Sequence, residues 1–249
     1  MRKNVDYGQY LFTGKEWALY CIQGAAAVGI IAYFFYRSVW VCPFLIPLFV
    51  MFLRKKKAQL AKQQREELKI QFKDAVLSVS ANQKAGYSVE NAFREASRDM
   101  ATLYGKESLI CKELAYIAKG LDNNVVLERL LYDLGSRSHV PDILQFADVF
   151  FIAKRSGGNM TKILAETAET IEQKITVDKE IQVLISSKKM EQKIMNAVPF
   201  LIIFYMDLTS KGFFDVLYHN LAGVFLMTIC LLIYLAAYTI SARLVEIEV

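Results

Sequence analysis

Apolar and charged residues are segregated along this 249-residue chain. Trp17 to Tyr36 reads WALYCIQGAAAVGIIAYFFY, an uncharged run long enough to cross the hydrocarbon core of a bilayer. Within it, Gly24-Ala25-Ala26-Ala27 offers a small-residue face to a neighbouring helix. Val39 to Leu53 is a second, shorter run bent by Pro43 and Pro47, which membrane helices tolerate where neighbours satisfy the freed backbone groups. A third run begins near Ile194 and a fourth covers Leu221 to Ile240. The pattern predicts four transmembrane helices in two pairs. A cleaved signal peptide fits poorly, because the first run is too long and another follows at once.

Between the pairs, residues 54–193 are polar but periodic. Leu68, Phe72, Ala75, Val76 and Val79 recur at helical spacing. Gly86 is placed to end that helix and Ser88 to cap the next, with Glu90 in its first turn and Ala92, Phe93, Ala96 and Met100 on its apolar face. A third helix is expected over Glu107 to Lys119 with Gly120 as its stop. Asn123 or Asn124 then caps a fourth, bearing Val126, Leu127, Leu130, Leu131 and Leu134. Pro141 suits the first turn of a fifth, which carries Ile143, Phe146, Phe150 and Phe151 and ends at Gly157-Gly158. Asn159 caps a sixth, whose stripe runs through Leu164, Ala168, Ile171 and Ile175. No stop signal precedes Ile194, so this helix is expected to run on into the third span. The turn at Lys84-Ala85-Gly86-Tyr87-Ser88-Val89 is echoed by Arg155-Ser156-Gly157-Gly158-Asn159-Met160, with Phe93 and Leu164 at matching positions. Two ordinary helical hairpins would give the same echo.

Basic residues set the expected orientation. Arg54-Lys55-Lys56-Lys57 follows span two, Lys188, Lys189 and Lys193 precede span three, and Arg243 follows span four. Arg2, Lys3 and Lys15 precede span one, leaving Arg37 and Lys211 for the other side. The positive-inside rule then puts both termini and the middle domain in the cytoplasm. The expected organisation is a cytoplasmic segment at 1–16, a transmembrane hairpin at 17–53, a cytoplasmic six-helix domain at 54–193, two spans at 194–243 and a cytoplasmic tail at 244–249. The fold class is all-α and polytopic, in a cell membrane.

Composition agrees with a split chain: 54% of residues are hydrophobic, yet 22% are charged. Only 4 prolines and 12 glycines occur, as expected of a mostly helical protein. The net charge of +5 is absorbed by topology and by attraction to anionic lipid, so nucleic acid is not an expected partner. Cys21, Cys42, Cys111 and Cys230 show no metal or redox spacing and read as packed thiols.

No chemistry-bearing constellation stands out. P-loop, zinc-protease, nucleophile-elbow and dinucleotide signatures are missing from the sequence. His139 and His219 fall on opposite sides of the membrane in this topology. The carboxylates of the middle domain read as solvated helix faces near Lys or Arg. Asn196 and Asp207 are polar residues in span three; the first is a candidate for bonding to a neighbouring helix, the second for an interfacial position. No enzyme activity, cofactor or metal is expected.

The segments QFKDAVLSVSANQKAGYSVENAFREAS and FADVFFIAKRSGGNMTKILAETAETI resemble the F family of type II secretion systems, the inner-membrane platform proteins of type II secretion and type IV pilus machines. Gly86, Ala92 and Phe93 match the family's first turn, and Gly157, Gly158, Asn159 and Leu164 its second. Met160 stands where Leu is common. The similarity spans about residues 65 to 243. A single such domain after a hairpin of spans resembles the Tad (Flp) pilus branch. The resemblance implies a platform that contacts a cytoplasmic secretion ATPase, passes motion to pilin or pseudopilin subunits, and self-associates or pairs with a paralogous one-domain protein. Surfaces near Gly86, Ser88 and Gly157-Gly158-Asn159, together with Arg54 to Lys57, are the candidate partner contacts. A membrane-anchored helical scaffold or a small transporter subunit fits the composition as an alternative.

Overall fold

A computed structural model describes residues 6–8, 10, 12, 14–36, 46–156, 159–210 and 221–247. Among them are eight α-helices and no strand: α1 Gly14–Tyr36, α2 Ile46–Lys84, α3 Val89–Tyr104, α4 Leu109–Asp122, α5 Leu127–Ser138, α6 Pro141–Ser156, α7 Met160–Thr209 and α8 Leu221–Ile247. The all-helical class is as the periodicity predicts. Contacts divide the chain into two compact units, one of Met1–Leu11 with Lys57–Thr176, the other of Phe12–Lys56 with Val177–Val249.

The first unit holds the larger core. Leu68, Phe72, Ala75, Val76 and Val79 of α2 are buried, as are Ala92, Phe93, Ala96 and Met100 of α3. Leu164, Ala168, Ile171 and Ile175 add the face of α7. Aromatic rings join three helices: Phe72 meets Phe146 edge-on at 5.2 Å, Phe146 stacks near Phe150 at 6.1 Å, and Phe93 meets Phe150 edge-on at 6.3 Å. Such pairs contribute beyond the apolar area they bury.

Several ends fall where the sequence puts them. Gly86 has φ +94°, a conformation that favours glycine, just after α2 stops. Pro141 opens α6, and α7 is one unbroken helix of 50 residues across Pro199. Two expectations are corrected. Gly120 does not end its helix: α4 continues to Asp122, and a Cβ on Gly120 would lie 2.6 Å from Leu130 Cδ2. The glycine is therefore a point of close packing between α4 and α5. Nor does Asn123 or Asn124 cap α5. That role falls to Val126, without a side-chain bond, while Asn123 Nδ2 donates to the Lys119 carbonyl at 2.8 Å and Asn124 has φ +59°. Both asparagines thus finish α4 rather than start α5.

The second unit packs α1, the start of α2, the end of α7 and α8. Its small core is Ala32, Met227 and Leu231, against Val28, Leu48 and Phe200. Gly24 faces Phe49 and Phe52 of α2, so the small-residue stretch of α1 does receive a helix. Two helical stretches are long and apolar enough to cross a membrane, Gly14–Tyr33 and Gly223–Leu244, and 11% of each is buried. Four were expected. The apolar end of α7 reaches only from Ile194 to Thr209, with Asp207 near its close. At about 1.5 Å per residue, that falls short of a hydrocarbon core of about 30 Å. Of the expected second span, only Ile46 to Leu53 lies within the described residues.

Pro199 withholds one backbone donor within α7. Three residues earlier, the Tyr234 hydroxyl donates to the Asn196 carbonyl at 3.1 Å, and Phe200 meets the Tyr234 ring at 5.4 Å. Asn196 does bond across to a neighbouring helix, through its backbone. Cys111 is buried, Cys21 half-buried and Cys230 exposed, all three as free thiols; Cys230 departs from the expectation of packing. Cys42, Arg37, Lys211 and His219 lie outside the described residues.

Candidate partner surface

The two turn motifs gather at one end of the first unit. Ser88 is extended and its hydroxyl accepts the Asn91 backbone N–H at 3.4 Å, capping α3. Asn159 Oδ1 accepts the Lys162 N–H at 3.1 Å and caps α7 in the same way. The helices that enter and leave these turns touch one another. Ser80, in the last turns of α2, donates from its hydroxyl to the Thr161 carbonyl at the start of α7, at 3.4 Å. Phe93 and Leu164, the matched positions, are both in the core. Their part is to hold the turns in place. Gly157 and Gly158 lie outside the described residues.

A lysine ties this end together. Lys154, in the last turn of α6, reaches Glu90 in the first turn of α3 at 3.2 Å and Glu128 in the first turn of α5 at 3.3 Å. Partial burial works against its charge, but the two carboxylates hold its ammonium above the usual lysine range. Glu90 is held below the usual carboxylate range, first by its own backbone N–H and then, against partial burial, by Lys154. Both acids sit at positive helix ends, where negative charge is favoured.

Exposed apolar side chains flank these contacts: Tyr87 in the first turn, Val126 at the head of α5, and Phe151 and Ile152 on α6. The Arg155 guanidinium stacks over Phe151 at 5.1 Å. Ile152 opens a groove of about 410 Å³ between α6 and α7, whose walls include Val149, Ile163 and Thr167. At its far end Asp142 accepts from Lys174 at 2.8 Å and pairs with Lys69 at 3.1 Å. Desolvation alone would raise the Asp142 carboxyl; the two lysines more than offset it and hold it below its usual value.

A second polar cluster is buried. Tyr7 is 2% exposed and Glu113 5%. The Tyr7 hydroxyl donates to Glu113 Oε1 at 2.8 Å, and its backbone N–H to the Arg137 carbonyl at 3.1 Å. Arg137 grips both oxygens of Glu113, at 3.2 and 2.8 Å, and also Asp133 at 2.8 Å. Burial, then the Glu113 carboxylate, push the Tyr7 phenol well above its ordinary value. Alongside, Asp6 accepts from Gly8 N–H and meets His139 Nε2, each at 2.8 Å. The expectation that carboxylates occupy only solvated faces is therefore corrected at Glu113 and Asp142. Each is buried because cations from other helices neutralise it. Spacing along one helix does not reveal partners on others. Within the segment expected at 1–16, Tyr7 belongs to the core of the helical unit.

The basic run straddles the boundary between the units, with Lys57 in the first. Arg54, Lys55 and Lys56 belong to the second unit. There Lys55 Nζ lies 5.7 Å from the Tyr238 ring centroid and Lys56 Nζ 5.4 Å from that of Tyr20. Among the described residues no group of three or more His, Cys, Asp or Glu is placed to hold a metal ion. No protein family, curated protein or solved structure matches the chain.

Proposed function

We propose that this chain is a membrane-embedded assembly platform of a type II secretion or Tad-like pilus machine. In this reading four segments cross the inner membrane, the two shorter ones with local thinning of the bilayer, and both termini face the cytoplasm. The helical unit docks a cytoplasmic secretion ATPase, and the membrane unit meets pilin or pseudopilin subunits and a second platform copy or paralogue. ATP is hydrolysed by the partner. The observation that carries the reading is the meeting of the two turn motifs at one end of the bundle, tied by Lys154, Glu90 and Glu128. Exposed Tyr87, Phe151 and Ile152 beside that tie supply the apolar contact a docking partner needs.

The test is deletion of the gene in a strain that makes pili or secretes through such a machine. Pilin should still be made and inserted, while surface fibres or secreted substrate disappear. Normal fibres in the deletion strain would rule the platform role out. A membrane-anchored scaffold is the competing reading, and recovery of the solubilised protein without any ATPase or pilin would favour it.

A further inference from the structure

In the helical unit, acids answer several lysines. Lys69, Lys73, Lys154 and Lys174 each meet at least one carboxylate. In the membrane unit the pattern reverses. Arg54, Lys55 and Lys56 have no carboxylate partner among the described residues. Two of them rest instead on aromatic faces, Lys55 on Tyr238 of α8 and Lys56 on Tyr20 of α1. A ring face steadies an ammonium but accepts no conventional hydrogen bond, so the donors of both lysines remain available to an anion. Three helices thereby present cations and amphipathic rings at one level. The first acid of α2 is Glu66, three turns beyond the run; Glu16, one turn before Tyr20, is the acid nearest on α1.

The chemistry changes on one side of this level. Moving into the apolar stretches, Ile22 of α1, Met51 of α2 and Ile233 of α8 are all exposed. Moving the other way, Lys15 and Arg243 follow. Phosphate-binding donors, a belt of rings and an exposed aliphatic wall, in that order, match a lipid molecule: anionic headgroup, glycerol level and acyl chain. We infer that α1, α2 and α8 form a binding site for an anionic phospholipid, its headgroup phosphate held by Arg54, Lys55 and Lys56 between Tyr20 and Tyr238. The site rests on the membrane reading above but not on the secretion role. The aliphatic wall distinguishes a lipid from a free phosphate ester.

The experiment is native mass spectrometry of the full-length protein in mild detergent with equimolar phosphatidylglycerol and phosphatidylcholine. Wild type should retain phosphatidylglycerol preferentially. K55Q/K56Q should retain roughly twenty-five-fold less, since each interfacial cation is worth about fivefold. K55R/K56R, which keeps both charges, should match wild type and shows that substitution at these positions is tolerated. Glycerol 3-phosphate at the lipid's concentration should not compete. Equal retention of the two lipids, undiminished phosphatidylglycerol on K55Q/K56Q, or displacement by glycerol 3-phosphate would each overturn the inference. Release of the protein from membranes by alkaline carbonate would remove the membrane reading as well. Normal pili in a deletion strain would remove only the platform role.

Discussion

The Tyr7 hydroxyl donates to the Glu113 carboxylate at 2.8 Å across 106 positions of sequence. Both groups are buried, and Arg137 closes the cluster from α5. A strand of chain ahead of the first apolar helix is thus pinned inside the helical unit. Tyr7→Ala removes a buried ring and should destabilise that unit by ~3 kcal/mol. Tyr7→Phe keeps the ring and should cost about 1 kcal/mol, since Arg137 still holds Glu113. Hydrogen exchange of α4 and α5 in the solubilised protein checks both. Equal protection in the two variants would mean the hydroxyl, not the ring, anchors the segment.

Arg137 should be the costlier residue to lose. Arg137→Met leaves Glu113 charged, buried and short of its main partner, a loss of roughly 3–5 kcal/mol. Adding Glu113→Leu removes the stranded charge and should recover a large part of it. The urea midpoints of the two single variants and the double variant form the cycle that measures this coupling.

Two glycines should respond differently to the same substitution. A Cβ on Gly135 would lie 2.8 Å from the Leu144 Cα, which is backbone and cannot swing aside. Gly135→Ala should therefore lower stability by about 1–3 kcal/mol by prising α5 from α6. At Gly120 the obstruction is the far end of the Leu130 side chain. A rotamer change can relieve it, and alanine adds helix propensity, so Gly120→Ala should cost much less. Thermal midpoints compared side by side decide between these fates.

Asp142 carries a pH dependence of known sign. Lys174 and Lys69 hold its carboxyl below the ordinary value of 3.8, although burial opposes them. A depressed carboxylate contributes stability that is fully present above its unfolded pKa and is lost as pH falls through the folded one. The contribution should therefore be complete at neutral pH and fade only below pH 3.8. Asp142→Asn should flatten that acid limb and, at neutral pH, leave Lys69 and Lys174 without their shared counter-charge. Urea midpoints between pH 3 and pH 7 give the curve; an unchanged acid limb would remove Asp142 from its cause.

Ile152 separates binding from folding. It is 65% exposed, so Ile152→Asp should change stability by less than about 0.5 kcal/mol. In the proposed platform the same change should abolish co-purification of the ATPase and with it the fibres. An ATPase that still co-purifies would move the docking face away from the α6–α7 groove.

Local patterns were legible in the sequence and cross-chain partnerships were not. The apolar faces of α2, α3 and α7 follow from spacing alone, because burial on a helix obeys its period. Ser88 and Asn159 were legible as caps because a cap is made within three residues. Gly120 was misread: a glycine that ends a helix and one that admits a neighbour look alike until Leu130 is seen against it. Glu113, Asp142 and Tyr7 were missed for the same reason, their partners lying on other helices.

The anchoring of Tyr7 also governs the order of assembly. The ring leaves the ribosome well before α4 and α5 exist, so its pocket is completed only after the first apolar helix has been made. Closing so distant a contact is slow relative to forming the helices themselves. The helical unit must therefore pass through a stage with an empty tyrosine pocket and an unpaired Glu113–Arg137 edge. Any chaperone or inserted partner that acts during synthesis meets that open form, and a fusion placed ahead of Asp6 would tend to prolong it.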